Sequence, residues 1–168
     1  ATAISGGEAA ITAPRAAAAP ETITVKIPAG IEDGKKIRLR GQGEPGPGGA
    51  PSGDLLLTIR VAPHPCFTRR GTRLDITAPI TLAEAAAGAK IDVPTPGGPV
   101  TLTVPPGVSS GKRLRLKGRG VAAEGKPPGD LFVELQIVLP DDLTDDEREQ
   151  IAQITAGRPA APRGDLRW

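Results

Sequence analysis

TITVKIPAGIEDGKKIRLRGQG, residues 22–43, decides the fold because it occurs twice. Residues 100–120 read VTLTVPPGVSSGKRLRLKGRG. Pro28, Gly30, Gly34, Ile37, Leu39, Gly41 and Gly43 fall on Pro105, Gly107, Gly111, Leu114, Leu116, Gly118 and Gly120, always 77 positions on (107 minus 30). Glycines and a proline in constant register mean duplicated backbone geometry. The period is too long for a solenoid unit, so the sequence predicts two tandem copies of one small domain.

Strict alternation places Ile23, Val25 and Ile27 on one face of a strand. An Asp33-Gly34 turn follows, then a second strand with Ile37 and Leu39 inward and Lys36, Arg38 and Arg40 outward. Residues 41–53 are rich in Gly and Pro and predict a long surface loop. The next strand is expected over 55–61. Its second-copy partner is 131–138, reached through Gly53-Asp54 and Gly129-Asp130 at an offset of 76. Further strands are expected over 9–13, 74–80, 89–93 and 100–104, and residues 15–20 read as a connection. Thr81 with Glu84, and Thr144 with Glu147, have capping-box spacing. The first predicts a two-turn helix stopped by Gly88, the second a helix stopped by Gly157 and Pro159. Residues 88–94 align with 7–14, so the twin of strand 74–80 falls at or before residue 1, and a first domain shortened at its start is expected.

The bulk numbers agree with thin β layers. Among 168 residues, aromatics are only 2%, so the core must be Val, Ile, Leu and Ala. Gly at 22 and Pro at 19 punctuate short strands. One cysteine, Cys66, excludes an internal disulfide and a Cys-based zinc site. No apolar run is long enough to span a membrane, and the Ala-rich start lacks the features of a signal peptide. Net charge is +2, but residues 141–149 carry six acids and one Arg, leaving +7 on the rest. A mildly basic body can attract acidic partners in a salt-dependent way.

Catalysis needs convergent acid, base or nucleophile groups. The single histidine, His64, lies between two prolines in a stiff hinge and reads as a hinge residue. Cys66 reads as a small buried residue. The glycine pairs at 41–43 and 118–120 follow strands but precede no helix, so they fail the phosphate-cradle context and read as repeated turns. No enzyme, metal or cofactor is expected. Lys35, Lys36, Arg38 and Arg40 (matched by Lys112, Arg113, Arg115 and Lys117) form a solvated face that blunts edge pairing. The functional alternative is a positive surface for an acidic peptide or DNA phosphates, although no aromatics are interleaved there to stack bases. Small β-sandwiches can also accept an extended peptide as an added strand. Phe67, a lone aromatic in a Pro-rich connection, is the better anchor candidate. Phe132 is one position off its strand's inward face, so it is either core between layers or an exposed anchor; for both phenylalanines core packing is the blander reading.

Taken in order, ITVKIPAGIEDGKKIRLRGQGEPG, GDLLLTIRVAPHPCFTRRG, LDITAPITLAEAAAGAKIDVPT, VPPGVSSGKRLRLKGRG and GDLFVELQIVLP resemble the C-terminal substrate-binding region of DnaJ-type J-domain co-chaperones, over about residues 7–155. The resemblance implies a mostly β fold of two tandem β-sandwich-like domains, 1–65 and 66–140, and a dimerising helix and tail, 141–168. Leu143, Ile151, Ile154 and Trp168 are then the dimerisation residues. It implies a homodimer that holds unfolded client segments and passes them to a DnaK-type chaperone, in the cytoplasm or, for DNA binding, at the nucleoid. The implied peptide pocket is formed by Ala9, Ile11 and Ala13 with Phe67. The chain has no J-domain His-Pro-Asp motif and no Cys-rich zinc module, and its end, PRGDLRW, resembles the tail of the zinc-free, curved-DNA-binding branch.

Overall fold

A computed structural model describes residues 2–15 and 18–156. They divide into two units, 1–137 and 138–168. The first unit is almost wholly β and contains both copies. Its elements are α1 (Thr2–Ser5), β1 (Gly7–Arg15), β2 (Ala18–Ile27), β3 (Lys36–Leu39), β4 (Leu55–Thr58), β5 (Phe67–Arg70), β6 (Arg73–Thr81), α2 (Leu82–Ala87), β7 (Ala89–Val93), β8 (Val100–Val104), β9 (Arg113–Leu116) and β10 (Leu131–Val138). The mostly β, tandem-copy expectation therefore holds.

The two copies share their hydrogen bonds as well as their sequence. Gly34 N donates to Ile59 O at 2.8 Å, and Gly111 N to Leu135 O at 2.8 Å. Ile59 N donates to Lys35 O as Leu135 N does to Lys112 O. Gly43 N reaches Gly53 O at 2.8 Å, and Gly120 N reaches Gly129 O at 2.9 Å. Antiparallel hairpins recur as β1–β2 and β7–β8, and as β3–β4 and β9–β10.

The helix before the first hairpin is repeated too. Gly88, at φ 80°, closes α2, and a Cβ there would press on Val104 O and Pro106 N at 3.0 Å. Gly6, at φ 74°, follows α1 and meets Ile27 O and Ala29 N in the same way. Both glycines adopt a left-handed backbone that a side chain disfavours. The true counterpart of Gly88 is thus Gly6, not Gly7, and α1 is the twin of the last turn of α2. The sequence alignment slipped by one because two glycines stand side by side.

Two expectations about boundaries change. Residues 18–20 belong to β2 rather than to a connection, because the hairpin continues with Arg15 opposite Ala18. A register shift between Ala13 and Arg15 brackets Pro14, which has no N–H to give the ladder. Strand β5 was not expected at all: residues 67–70 read as the end of a Pro-rich hinge, yet Phe67 pairs with Ile76 and Arg70 with Arg73. Only Gly71 and Thr72 separate the paired strands, too short a break to leave an alternation signal. Both capping boxes form as expected. Thr81 N donates to a Glu84 carboxylate oxygen at 2.8 Å, and Glu84 N to Thr81 Oγ1 at 3.2 Å.

The copies differ in what covers them. In the second, β10 lies between β9 and β6 in a four-stranded sheet ordered β5-β6-β10-β9. Leu74, Ile80, Val93, Val104, Leu131, Val133 and Leu135 are buried there, and Leu131, Val133 and Leu135 are 0% exposed. In the first copy, among the described residues, β4 pairs with β3 alone. Leu55, Leu57 and Ile59, twins of those three, are only half-buried, and Val25 and Ile31 are its buried hydrophobic residues.

The second unit carries α3 (Asp145–Thr155). Thr144 caps it, with Thr144 N donating to Glu147 at 2.8 Å and Glu147 N to Thr144 Oγ1 at 3.3 Å. The Thr144 backbone N–H, then its hydroxyl, holds the Glu147 carboxyl below its ordinary value of 4.5. Three acids in the first turn suit the helix dipole. Gly157, Pro159 and Trp168 lie outside the described residues.

Candidate peptide-binding site

The hinge positions the first candidate residue. Pro63 and Pro65 fix the backbone around His64, and the chain enters β5 at Phe67. The His64 and Phe67 rings pack with centroids 5.0 Å apart, tilted by 52°. His64 Nδ1 accepts from Cys66 N at 3.2 Å, so the histidine closes a local turn. Phe67 does not hang in a connection as expected. It is half-buried, packs against the second copy's core and leaves one side open. Cys66 is exposed rather than buried, because β5 starts immediately after it and the hinge holds it on the surface.

That open side faces a cleft of about 600 Å³, lined by Ile4, Val61, Pro63, His64 and Phe67, with Leu74 at its floor. Arg69 fixes its width by joining the copies. Its guanidinium donates to Ile31 O at 2.8 Å and to Gly30 O at 2.7 Å. These are charge-assisted bonds to turn carbonyls. Nothing in the sequence marked Arg69, since a donor to carbonyls 38 and 39 residues away leaves no local pattern.

Ala9, Ile11 and Ala13 lie on β1, opposite Val25, Ile23 and Glu21 of β2. Ala9 and Ile11 are half-buried, and the side chain of Ala13 lies outside the described residues. Among the described residues β1 pairs with β2 only, so its other edge is open. The structure does not bring the four residues into one pocket. Phe67 belongs to the cleft, and none of the three β1 residues lines it.

The basic strands are partly neutralised. Lys35, Lys36, Arg38 and Arg40 are all exposed. Arg38 Nε donates to Asp54 at 2.5 Å, while the other Asp54 oxygen accepts Gly41 N at 2.9 Å. Arg115, Asp130 and Gly118 repeat this at 2.7 and 2.8 Å. The Gly41 N–H and then Arg38 hold the Asp54 carboxyl below its ordinary 3.8. For Asp130 the Gly118 N–H acts first, and Arg115 adds to it. Each arginine thus anchors its loop as well as presenting charge. Arg113 is likewise paired with Glu134. Phe132 lies on the outer sheet face rather than in the core, with the Arg73 guanidinium 4.0 Å above its ring.

Of the expected dimerisation residues, Leu143 and Ile151 are half-buried and Ile154 is 69% exposed.

Three comparisons bear on this arrangement. Residues 1–140 match the family described as DnaJ C terminal domain. The chain is 48% identical over 144 residues to the curved DNA-binding protein of Coxiella burnetii, covering 86% of this chain and 45% of that protein. It is 51% identical over 121 residues to the curved DNA-binding protein of Escherichia coli, covering 72% and 39%. The chain thus spans less than half the length of these relatives. With the family match over both copies, it belongs to the DnaJ C-terminal domain family, as the resemblance of its sequence motifs implied.

Proposed function

We propose that the chain is a non-catalytic chaperone module that binds extended apolar segments of unfolded polypeptides. The observation that supports this best is the open side of the first copy. There, among the described residues, β1 pairs with β2 only and carries Ala9 and Ile11, and a separate apolar cleft is lined by Phe67. An extended segment gains main-chain hydrogen bonds from such an edge and side-chain burial from such a cleft. In this reading segments pass to a DnaK-type chaperone, and a homodimer formed through residues 141–168 offers two sites. Phe67→Ala and Ile11→Asp should each weaken binding of an apolar peptide while circular dichroism stays β. Unchanged affinity in both counts against the reading. Light scattering before and after removal of residues 141–168 tests the dimer.

A second reading is DNA binding, favoured by the names of the relatives and by the exposed cations Lys35, Lys36 and Arg40 on a body of formal charge +7. Salt separates the two. Affinity for duplex DNA should fall steeply between low and physiological salt, whereas apolar peptide affinity should scarcely move. Flat DNA affinity across that range rejects the second reading.

A further inference from the structure

We infer that the outer face of the second copy holds a site for a carboxylate, the side chain of an aspartate or glutamate in a bound polypeptide. The site goes beyond the extended-segment reading and does not depend on it, because neither Arg70 nor Arg73, its central cations, lines the Phe67 cleft.

Four strands build it. Alternation turns Arg70 of β5, Arg73 and Asp75 of β6, Phe132 and Glu134 of β10 and Arg113 of β9 away from the core. They surround a hollow of about 210 Å³. At about 30 Å³ per water, that room suits a carboxylate, its stem and a few waters.

The cations are not equivalent. Arg70 stands directly opposite Arg73 across the β5–β6 ladder. Like charges so placed destabilise a sheet, and an anion between them relieves the cost. Arg73 already has its counter-ion. Its Nε donates to the two Asp75 oxygens at 3.0 and 2.9 Å, and its guanidinium lies 4.0 Å over the Phe132 ring. Arg113 Nε donates to Glu134 at 2.7 Å. Arg70 is exposed and, among the described residues, has no carboxylate partner. Three guanidiniums thus meet two carboxylates around the hollow, and the excess positive charge sits at Arg70. Arg73, clamped by Asp75 and Phe132, is preorganised beside it, so a ligand bridging the two orders little that is not already ordered.

Charge and geometry select the occupant. One excess charge is matched by one monoanion. Duplex DNA fits poorly, since it brings a charge every roughly 1.7 Å of axis and the phosphates beside the first would face Asp75 and Glu134. A chain terminus fits poorly too. Its carboxylate is captured by converging backbone N–H groups, whereas strand N–H groups lie in the sheet plane and not on its face. A guanidinium fork takes a side-chain carboxylate through two parallel bonds. The first copy has no equivalent. Leu56, Thr58 and Lys36 stand where the second has Phe132, Glu134 and Arg113, so both the aromatic shelf and the flanking acid are missing there.

Nuclear magnetic resonance of the full, nitrogen-labelled chain tests the site, read at the Arg70 Nε–H and at the amide of Thr77, which also lines the hollow. The probes are acetyl-GLTETLG-amide, acetyl-GLTQTLG-amide, the same glutamine peptide with a free C-terminal carboxylate, and duplex DNA. The glutamate peptide should shift both resonances to saturation, and the other probes should leave them in place. Arg70→Gln should weaken the glutamate peptide about fivefold at Thr77, the upper end for an exposed ion pair. Lys90→Gln, which removes an exposed charge from β7 instead, should not. The proposal is overturned by no shift with the glutamate peptide, by shifts of the same size with glutamine, the free terminus or DNA, or by equal losses in the two variants. Each of these outcomes leaves the apolar reading standing, since Phe67→Ala and Ile11→Asp test it separately.

Discussion

The two copies have one backbone plan and two degrees of closure. Their β3–β4 and β9–β10 hairpins share turn glycines and Arg–Asp anchors, yet Leu131, Val133 and Leu135 are sealed and Leu55, Leu57 and Ile59 are not. The difference is not in the strands themselves. It lies in β6, which supplies a paired edge and four buried side chains to the second copy. Identical local instructions therefore carry unequal cores: among the described residues, only β10 has a sequence-distant strand beside it. The copy with more exposed apolar surface is also the one where apolar segments are proposed to bind, and the sealed copy serves as the rigid support that Arg69 ties to it.

The sharpest way to break the comparison is truncation at twin positions. Leu131→Ala should destabilise by about 2–5 kcal/mol, since a filled, water-free site is emptied. Leu55→Ala should lose only about 1 kcal/mol, because less area returns to water. Chemical denaturation of both variants checks this, and equal losses would mean that the first copy is closed in solution. Next in size are the glycine twins. Gly129→Ala forces the Thr72 turn to move and should lose about 1–3 kcal/mol. Gly53→Ala should stay within about 0.5 kcal/mol.

Acid provides the smallest and most even test, because here the copies are alike. Asp54 and Asp130 both titrate below 3.8 in the folded chain, chiefly through the Gly41 and Gly118 N–H groups. A lowered carboxyl stabilises the fold above its unfolded value, and that contribution disappears as pH falls through the folded one. Both loops should therefore loosen together below about pH 4. Nuclear magnetic resonance of Gly41 and Gly118 amides through an acid titration follows this directly. Asp54→Asn should remove the acid response of Gly41 while sparing that of Gly118.

Much of this architecture was legible in the sequence. Glycines at constant offset fixed the hairpins, and Thr–x–x–Glu spacing fixed both helix starts, because these signals are local and governed by backbone conformation. The register of β1 was misread by one residue, since Gly6 and Gly7 are indistinguishable until a neighbouring turn presses on one of them. Strand β5 was hidden by brevity and by the prolines before it. Phe67 was singled out, but the core it packs against comes from residues far along the chain, which no local pattern identifies. The pairing of β6 with β10 is a long-range fact that no periodicity encodes.

Amide hydrogen exchange at four positions tests the unequal closure most directly. Leu56 and Thr58 should exchange rapidly, while Phe132 and Glu134, their twins between β9 and β6, should be protected to near the global unfolding limit. Equal protection at all four amides would contradict the unequal closure.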